Sequence, residues 1–171
     1  MTYSKLDIEK VVDRLLEVAL GDIYVLPVDI RSIFHKLGYT VRDYIPTNKK
    51  DIGKISGLIS FDKKALLLNK YDSDQRKSFT AAHELGHVSL HAKKGFDVIY
   101  RKENLYDSVD VNTEREANYF AACVLMPKYL FIHYCKIFNG DFYKLAKKFN
   151  VSNEDSIERI EQLRTHLAYS F

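Results

Sequence analysis

The sequence predicts a mainly helical α+β fold, and three observations lead to this. The chain has 171 residues, of which 46% are hydrophobic, which is enough to build the core of one domain. Apolar residues recur at helical spacing near both ends of the chain, whereas residues 39–69 hold short alternating or apolar runs separated by turn residues. Because the strands are grouped between helices, an α+β fold is favoured over an alternating α/β fold.

Two amphipathic helices are predicted at the start of the chain. The first spans residues 4–20, and Ser4 with Asp7 resembles a capping box at its beginning. The apolar stripe of this helix consists of Leu6, Val11, Val12, Leu15, Leu16 and Ala19. The second helix covers roughly residues 28–37 and is opened by Pro27. A glycine follows each helix, as expected where a helix ends.

A small three-stranded sheet, antiparallel or mixed, is predicted after these helices. Its strands are expected at residues 39–44, 55–61 and 65–69. A long helix then begins at Asp72 or Ser73 and continues to about His91.

The segment 95–112 is predicted to be irregular, because an apolar stretch is followed by a polar one without a clear period. It is either a loop over a functional cleft or an ordinary surface excursion. A helix over residues 114–125 follows, capped by Asn112 or Thr113. A C-terminal helical tail is expected from three further helices at residues 128–138, 142–150 and 153–167.

Composition narrows the classes of function. The net charge of +3 is too small to indicate nucleic-acid binding by itself. Cys123 and Cys135 do not form a C-x-x-C pair, so a zinc ribbon or redox motif is not indicated, and buried free thiols are expected. The chain shows neither an apolar signal segment nor a run long enough to cross a bilayer. We therefore expect a cytoplasmic protein that does not bind membranes.

The motif H-E-x-x-H at residues 83–87 predicts a metal site. On a helix, His83 and His87 lie one turn apart on the same face, and two imidazoles at that spacing can bind one tetrahedral zinc ion. Glu84 lies beside this pair and is suited to act as general base and then as general acid. A chance match is the alternative, but the flanking residues are apolar, as expected for a buried helix.

A catalytic zinc site requires a third protein ligand, and the next helix offers two carboxylates. We prefer Glu114, because its line on the helix continues to Asn118, which can accept a hydrogen bond from a ligand histidine. Ala117 and Ala121 would let this helix approach its neighbour closely. Glu116 remains an alternative ligand, and either glutamate could instead be an exposed first-turn residue that the helix dipole favours.

His91 is predicted to act in the site without binding the metal. It lies eight residues after His83, a rise of roughly 12 Å along a helix, so both cannot reach one ion at bonds of about 2.1 Å. We expect His91 to shape the cleft, or to stabilise the oxyanion of the reaction, a role for which Tyr100 and Tyr106 are the alternatives. A histidine favoured by the C-terminal helix dipole is the simpler explanation.

Two segments form a pattern that is specific in combination. The first reads Phe79-Thr80-x-Ala82-His83-Glu84-Leu85-Gly86-His87-x-x-Leu90-His91, and the second reads Glu114-x-Glu116-Ala117-Asn118-x-Phe120-Ala121-Ala122-x-x-Leu125-Met126-Pro127. In this order and at this distance they resemble the ImmA/IrrE family of zinc metallopeptidases. The tail, Leu145-Ala146-x-x-Phe149-x-Val151-Ser152 and the helix after it, resembles half of a helix-turn-helix module. That last helix is more acidic than one that reads DNA.

The resemblance implies a zincin-like metallopeptidase domain in residues 1–138 and a small helical extension in residues 139–171. It also implies Zn²⁺ as the cofactor, bound by His83 and His87, with Glu84 as a catalytic residue. The family motif offers both Glu114 and Glu116 as the third ligand, and the helix position favours Glu114. His91 is expected as a further catalytic residue from its place beside the site. Relatives are implied to relieve repression in phages and mobile elements by cutting a helix-turn-helix repressor. The alternative is a regulatory partner that binds a repressor or DNA without proteolysis, and a purely structural zinc is a third reading. Glu84 favours the peptidase, since neither alternative requires a carboxylate there.

Overall fold

Seven helices and four strands make up the part of the chain that the structure, a computed structural model, describes. These residues are 3–22, 24–47, 55–91, 98–102 and 111–166, with the backbone alone for 98–102 and 166. The elements in chain order are α1 (Lys5–Leu20), α2 (Ile30–Lys36), β1 (Thr40–Tyr44), β2 (Ile55–Ser60), β3 (Ala65–Asn69), α3 (Asp74–His91), β4 (Val98–Lys102), α4 (Val111–Leu125), α5 (Lys128–Ile137), α6 (Phe142–Phe149) and α7 (Asn153–His166). The predicted α+β fold class is confirmed.

The sheet is mixed, with the strand order β1-β3-β2-β4. β1 pairs in parallel with β3, and β2 lies antiparallel to both β3 and β4. The prediction that 95–112 is irregular is wrong for Val98–Lys102, which adds a fourth strand beside β2. Pairing with β4 satisfies backbone N–H and C=O groups of β2 that would be unpaired if β2 were an edge strand. Val, Ile and Tyr also favour strands.

Capping residues determine where the first two helices begin. The Ser4 hydroxyl accepts a hydrogen bond from the Asp7 N–H at 3.2 Å and donates one to the Asp7 carboxylate at 2.6 Å, so the predicted cap is confirmed. The second helix begins at Ile30, later than predicted, because Asp29 and not Pro27 caps it. The Asp29 carboxylate accepts from the Ser32 N–H at 3.1 Å.

The central element of the fold is α3, which contacts α4, α2 and the strands β2 and β3. It approaches β2 closely at Gly57, where an added Cβ atom would lie 2.5 Å from Cγ2 of Thr80. Residues 80–87 of α3 are all buried. The helix that carries the H-E-x-x-H motif is therefore enclosed between the sheet and α4.

Both cysteines are buried free thiols, as predicted. Burial raises the pKa of the Cys123 thiol and of the Cys135 thiol, so neither is an activated nucleophile. Among the described residues, no single helix is long and apolar enough to cross a membrane; only α4 and α5 taken together meet that test, across a bend of 56°.

A buried ion pair joins the two ends of the chain. Arg159 of α7 is 0% exposed and donates to Glu9 of α1 through both terminal nitrogens, at 2.7 and 3.2 Å. Arg159 also donates to the Met126 carbonyl, while Tyr119 and Cys123 of α4 donate to Glu9. Burial alone would raise the pKa of Glu9, but the hydrogen bonds and charge of Arg159 outweigh it and hold that pKa below its usual value.

We expect Arg159→Ala to lower the free energy of unfolding by about 3–5 kcal/mol, because it leaves the Glu9 carboxylate buried without its cation. The control is Arg31→Ala, which breaks an ion pair with Asp43 in which both side chains are more than a third exposed; such a pair contributes roughly 0–1 kcal/mol. Urea unfolding measures both. Equal losses for the two variants would contradict a structural role for the Arg159–Glu9 pair.

The same pair should make stability depend on pH in the acid range. Because the pKa of Glu9 is lowered in the folded protein, its contribution is complete above the unfolded pKa of about 4.3 and is lost as pH falls through the folded pKa. Urea unfolding of wild type and Glu9→Gln between about pH 3 and pH 7 tests this, and we expect the variant to lose less stability on acidification. Parallel curves would contradict the assignment.

Candidate metal centre

Two buried histidines on α3 face the same point. His83 is 2% exposed and His87 is 1% exposed, and their Nε2 atoms lie 3.0 Å apart. This follows from the helical spacing of four residues, which places the two side chains one above the other. The outcome is a pair of imidazole nitrogens presented side by side toward α4.

The first turn of α4 reaches this pair because the two helices approach each other closely at Gly86. A Cβ atom added at Gly86 would lie 3.1 Å from Cα of Ala117 and 3.2 Å from Cβ of Phe120. Ala117 and Ala121 are both 0% exposed. Small residues on both helices therefore bring the two backbones together, as predicted for Ala117 and Ala121.

Glu114 completes a group of three. Its Oε1 atom lies 3.1 Å from Nε2 of His87 and its Oε2 atom lies 3.3 Å from Nε2 of His83. Burial alone would raise the pKa of Glu114, but hydrogen bonds and charge from the two histidines outweigh it and hold that pKa far below its usual range. The carboxylate therefore remains ionised, as a metal ligand must be.

The donor set fits a zinc ion. In the part of the chain that the structure describes, His83, His87 and Glu114 form the one group whose ligand atoms all lie within 4.8 Å of one another. Bonds of about 2.1 Å in a tetrahedron separate ligand atoms by roughly 3.4 Å, close to the observed 3.0, 3.1 and 3.3 Å. The Glu114 side chain is 26% exposed, so this group of three is not fully closed off from solvent.

Glu84 and Asn118 lie next to this group. Glu84 follows His83 on α3 and is 0% exposed, so its carboxyl group is held inside the protein one residue along the helix from a candidate ligand. The Oδ1 atom of Asn118 lies 2.8 Å from Nδ1 of His83. Because an amide oxygen can only accept, Nδ1 of His83 carries a hydrogen and donates it to Asn118, the contact predicted from the position of Asn118 on the helix.

Glu116 lies on another side of the centre, against His91. Its Oε2 atom is 2.8 Å from Nε2 of His91, and the two side chains are only 6% and 1% exposed. Glu116 is therefore not one of the three grouped ligand residues, and it is not the exposed first-turn residue that was the alternative. Its direction differs from that of Glu114 because two residues rotate a helix by about 200°.

The expectation that His91 shapes the cleft or stabilises an oxyanion stays a prediction, and the structure places His91 against His87 with 1% of its surface exposed. Its Nδ1 atom lies 3.2 Å from Nδ1 of His87, and its Nε2 atom lies against Glu116, so both ring nitrogens already have buried partners. Of the two alternatives, Tyr100 is described by its backbone alone and Tyr106 lies outside the described residues. The contact between His91 and Glu116 was missed from the sequence, although the spacing of His87 and His91 signals a second pair on one helix face.

Comparisons with known proteins match this chain to a family model, to a phage protein and to a solved structure. The family model Peptidase_M78, described as the IrrE N-terminal-like domain, matches residues 34–161. A protein of Bacillus phage phi105, called uncharacterized immunity region protein 2, is 34% identical over 83 residues, which are 47% of this chain and 51% of that protein. A solved Mycobacterium tuberculosis transcriptional regulator is similar in fold, with a TM-score of 0.66 at 18% identity. The match covers 94% of this chain and 48% of that regulator, so this chain spans about half the length of both relatives.

We expect Gly86→Val to weaken metal binding, because its side chain would force α4, and Glu114 with it, away from the histidines. Overpacking of this kind also costs roughly 1–3 kcal/mol of stability. Ser89→Ala, a half-buried position on the same helix, is the matched control. Zinc titration in the presence of a competing chelator measures the effect. If Gly86→Val binds zinc as tightly as Ser89→Ala, the helix contact does not set the ligand geometry.

Proposed function

This chain belongs to the Peptidase_M78 family with an IrrE N-terminal-like domain, and on that premise we propose that it is a zinc-dependent endopeptidase. The observation that carries the proposal is the convergence of His83, His87 and Glu114 on one point, on a helix in which the buried Glu84 directly follows His83. Two histidines and one carboxylate with an open fourth position are typical of catalytic zinc sites in peptidases.

Each residue of the centre has a defined task in this proposal. Bound zinc supplies a Lewis acid that polarises the scissile carbonyl group and lowers the pKa of water. His83 and His87 hold their Nε2 atoms toward the site, and the Glu114 carboxylate offsets the positive charge there. Glu84 takes a proton from the attacking water and then transfers it to the amine that leaves. A metal that served only structure would need no such carboxylate.

The substrate that we propose is a helix-turn-helix transcriptional repressor of a phage or mobile element, whose cleavage relieves repression. The name of the phi105 relative supports this, because it places that protein in the immunity region of a phage. The resemblance to the ImmA/IrrE family supports it as well. The alternative is a regulatory partner that binds the repressor or DNA and cuts nothing, and the cleavage experiment separates the two.

Glu84→Gln should retain zinc and lose cleavage by a factor of at least about 10²–10⁴, because the amide cannot accept the proton of the attacking water. The assay incubates the zinc-loaded protein with the repressor encoded beside its gene and identifies new amino termini by mass spectrometry. Glu17→Gln, the same change at an exposed position on α1, is the control and should cut normally. Cleavage by zinc-loaded Glu84→Gln would contradict the mechanism, and repressor binding without cleavage by the wild type would support the regulatory alternative.

Glu114→Ala should lose zinc and cleavage together, because two histidines alone hold zinc weakly. Arg115→Ala is the matched control, since Arg115 is the exposed neighbour of Glu114 in the same helical turn. Zinc content after dialysis is measured by atomic emission. A fully loaded Glu114→Ala protein would show that another residue supplies the third ligand.

A further inference from the structure

A line of hydrogen bonds runs from the metal centre to the N-terminal segment. Nδ1 of His87 lies 3.2 Å from Nδ1 of His91, and Nε2 of His91 lies 2.8 Å from Oε2 of Glu116. The Oε1 atom of Glu116 accepts the backbone N–H of Tyr3 at 2.7 Å. The three side chains are between 1% and 6% exposed, so water does not compete for these contacts. None of the tasks proposed for catalysis uses His91, Glu116 or Tyr3.

The hydrogens along this line have one consistent arrangement when His87 binds a metal. Its Nε2 atom faces Glu114 and His83, so its single hydrogen lies on Nδ1 and is donated to His91. Nδ1 of His91 then accepts, which places the hydrogen of His91 on Nε2, where it is donated to Glu116. Glu116 accepts at both oxygens, from His91 and from Tyr3, as only a carboxylate can.

We propose that His91 and Glu116 are positioning residues that hold His87 in the tautomer and ring orientation that bind metal. This inference rests on the zinc site of the proposed function. Asn118 does the same for His83, but it lies on the exposed side of α4 and is a neutral amide. The two histidine ligands are therefore supported unequally, one by an amide near solvent and the other by a buried carboxylate acting through a second imidazole.

The burial of Glu116 is the reason to assign it this task. A carboxylate taken out of water is costly unless hydrogen bonds satisfy both of its oxygens, and here both donors are fixed. The Tyr3 N–H belongs to the residue just before the cap of α1, and the His91 ring belongs to the last residue of α3. Glu116 is thus fixed from two sides and can in turn fix His91.

His91→Phe tests the proposal, because phenylalanine keeps a buried ring of similar size and lacks both nitrogens. We expect zinc affinity, measured with zinc alone against a competing chelator, to fall about 10–100-fold. Glu116→Leu should have a similar effect. Glu116→Gln should bind more tightly than Glu116→Leu, because its amide oxygen still accepts from His91. The visible spectrum of the cobalt-substituted protein should change in His91→Phe, since that spectrum reports ligand geometry.

Tyr119→Phe is the control for lost stability alone. It removes a buried hydrogen bond to Glu9 from the same helix without touching the centre, so its zinc affinity and cobalt spectrum should match the wild type. A folded His91→Phe protein with wild-type zinc affinity and spectrum would overturn the proposal.

If the variants do not fold, a measurement on the wild type still tests the proposed role of His91. Nitrogen-15 spectra of the zinc-loaded protein should show the hydrogen of His91 on Nε2, and a hydrogen on Nδ1 would overturn the proposal. Failure of the zinc site itself gives a different result, because the wild type would then bind zinc no more tightly than Glu114→Ala.

Discussion

The contact between Gly86 and Ala117 is the constraint on which the metal centre depends. The histidines belong to α3 and the carboxylate to α4, so the distance between their ligand atoms depends directly on how closely the two helices pack. A Cβ atom at Gly86 would approach the backbone of Ala117 to 3.1 Å, so any larger residue moves the helices apart. Because metal–ligand bonds tolerate only about 0.2 Å of variation, a metal held by His83, His87 and Glu114 would depend on this contact between two small residues outside the group of three.

The two sides of the candidate metal centre differ in their exposure to solvent. The Glu114 side is partly exposed, with the side chain at 26%. The opposite side, where His91 and Glu116 lie, is closed to water. A low dielectric around the buried side strengthens the hydrogen bonds there and makes an unsatisfied group costly. Solvent can therefore reach the side with Glu114, whereas buried hydrogen bonds hold His91 and Glu116 in place on the other side.

The C-terminal helices are tied to the rest of the molecule through a buried charge. Arg159 of α7 reaches Glu9 of α1 and the carbonyl group of Met126, so the first and last helices share one ion pair beside α4. The matched family model also continues past residue 138, to residue 161. A domain boundary after residue 138 stays a proposal. In that proposal, residues 139–171 form an extension that the Arg159–Glu9 ion pair holds against the rest of the domain.

Local rules in the sequence were sufficient for most of the elements and for part of the centre. Helical spacing alone puts His83 and His87 on one face, and the helix position of Glu114 relative to Asn118 was enough to prefer it over Glu116. Tertiary structure decided the rest, including the strand at Val98–Lys102, the pairing of His91 with Glu116 and the ion pair between residues 150 positions apart. Periodicity and capping act over a few residues, whereas these contacts depend on how whole elements pack, and no local pattern encodes which distant partner a buried charge will meet.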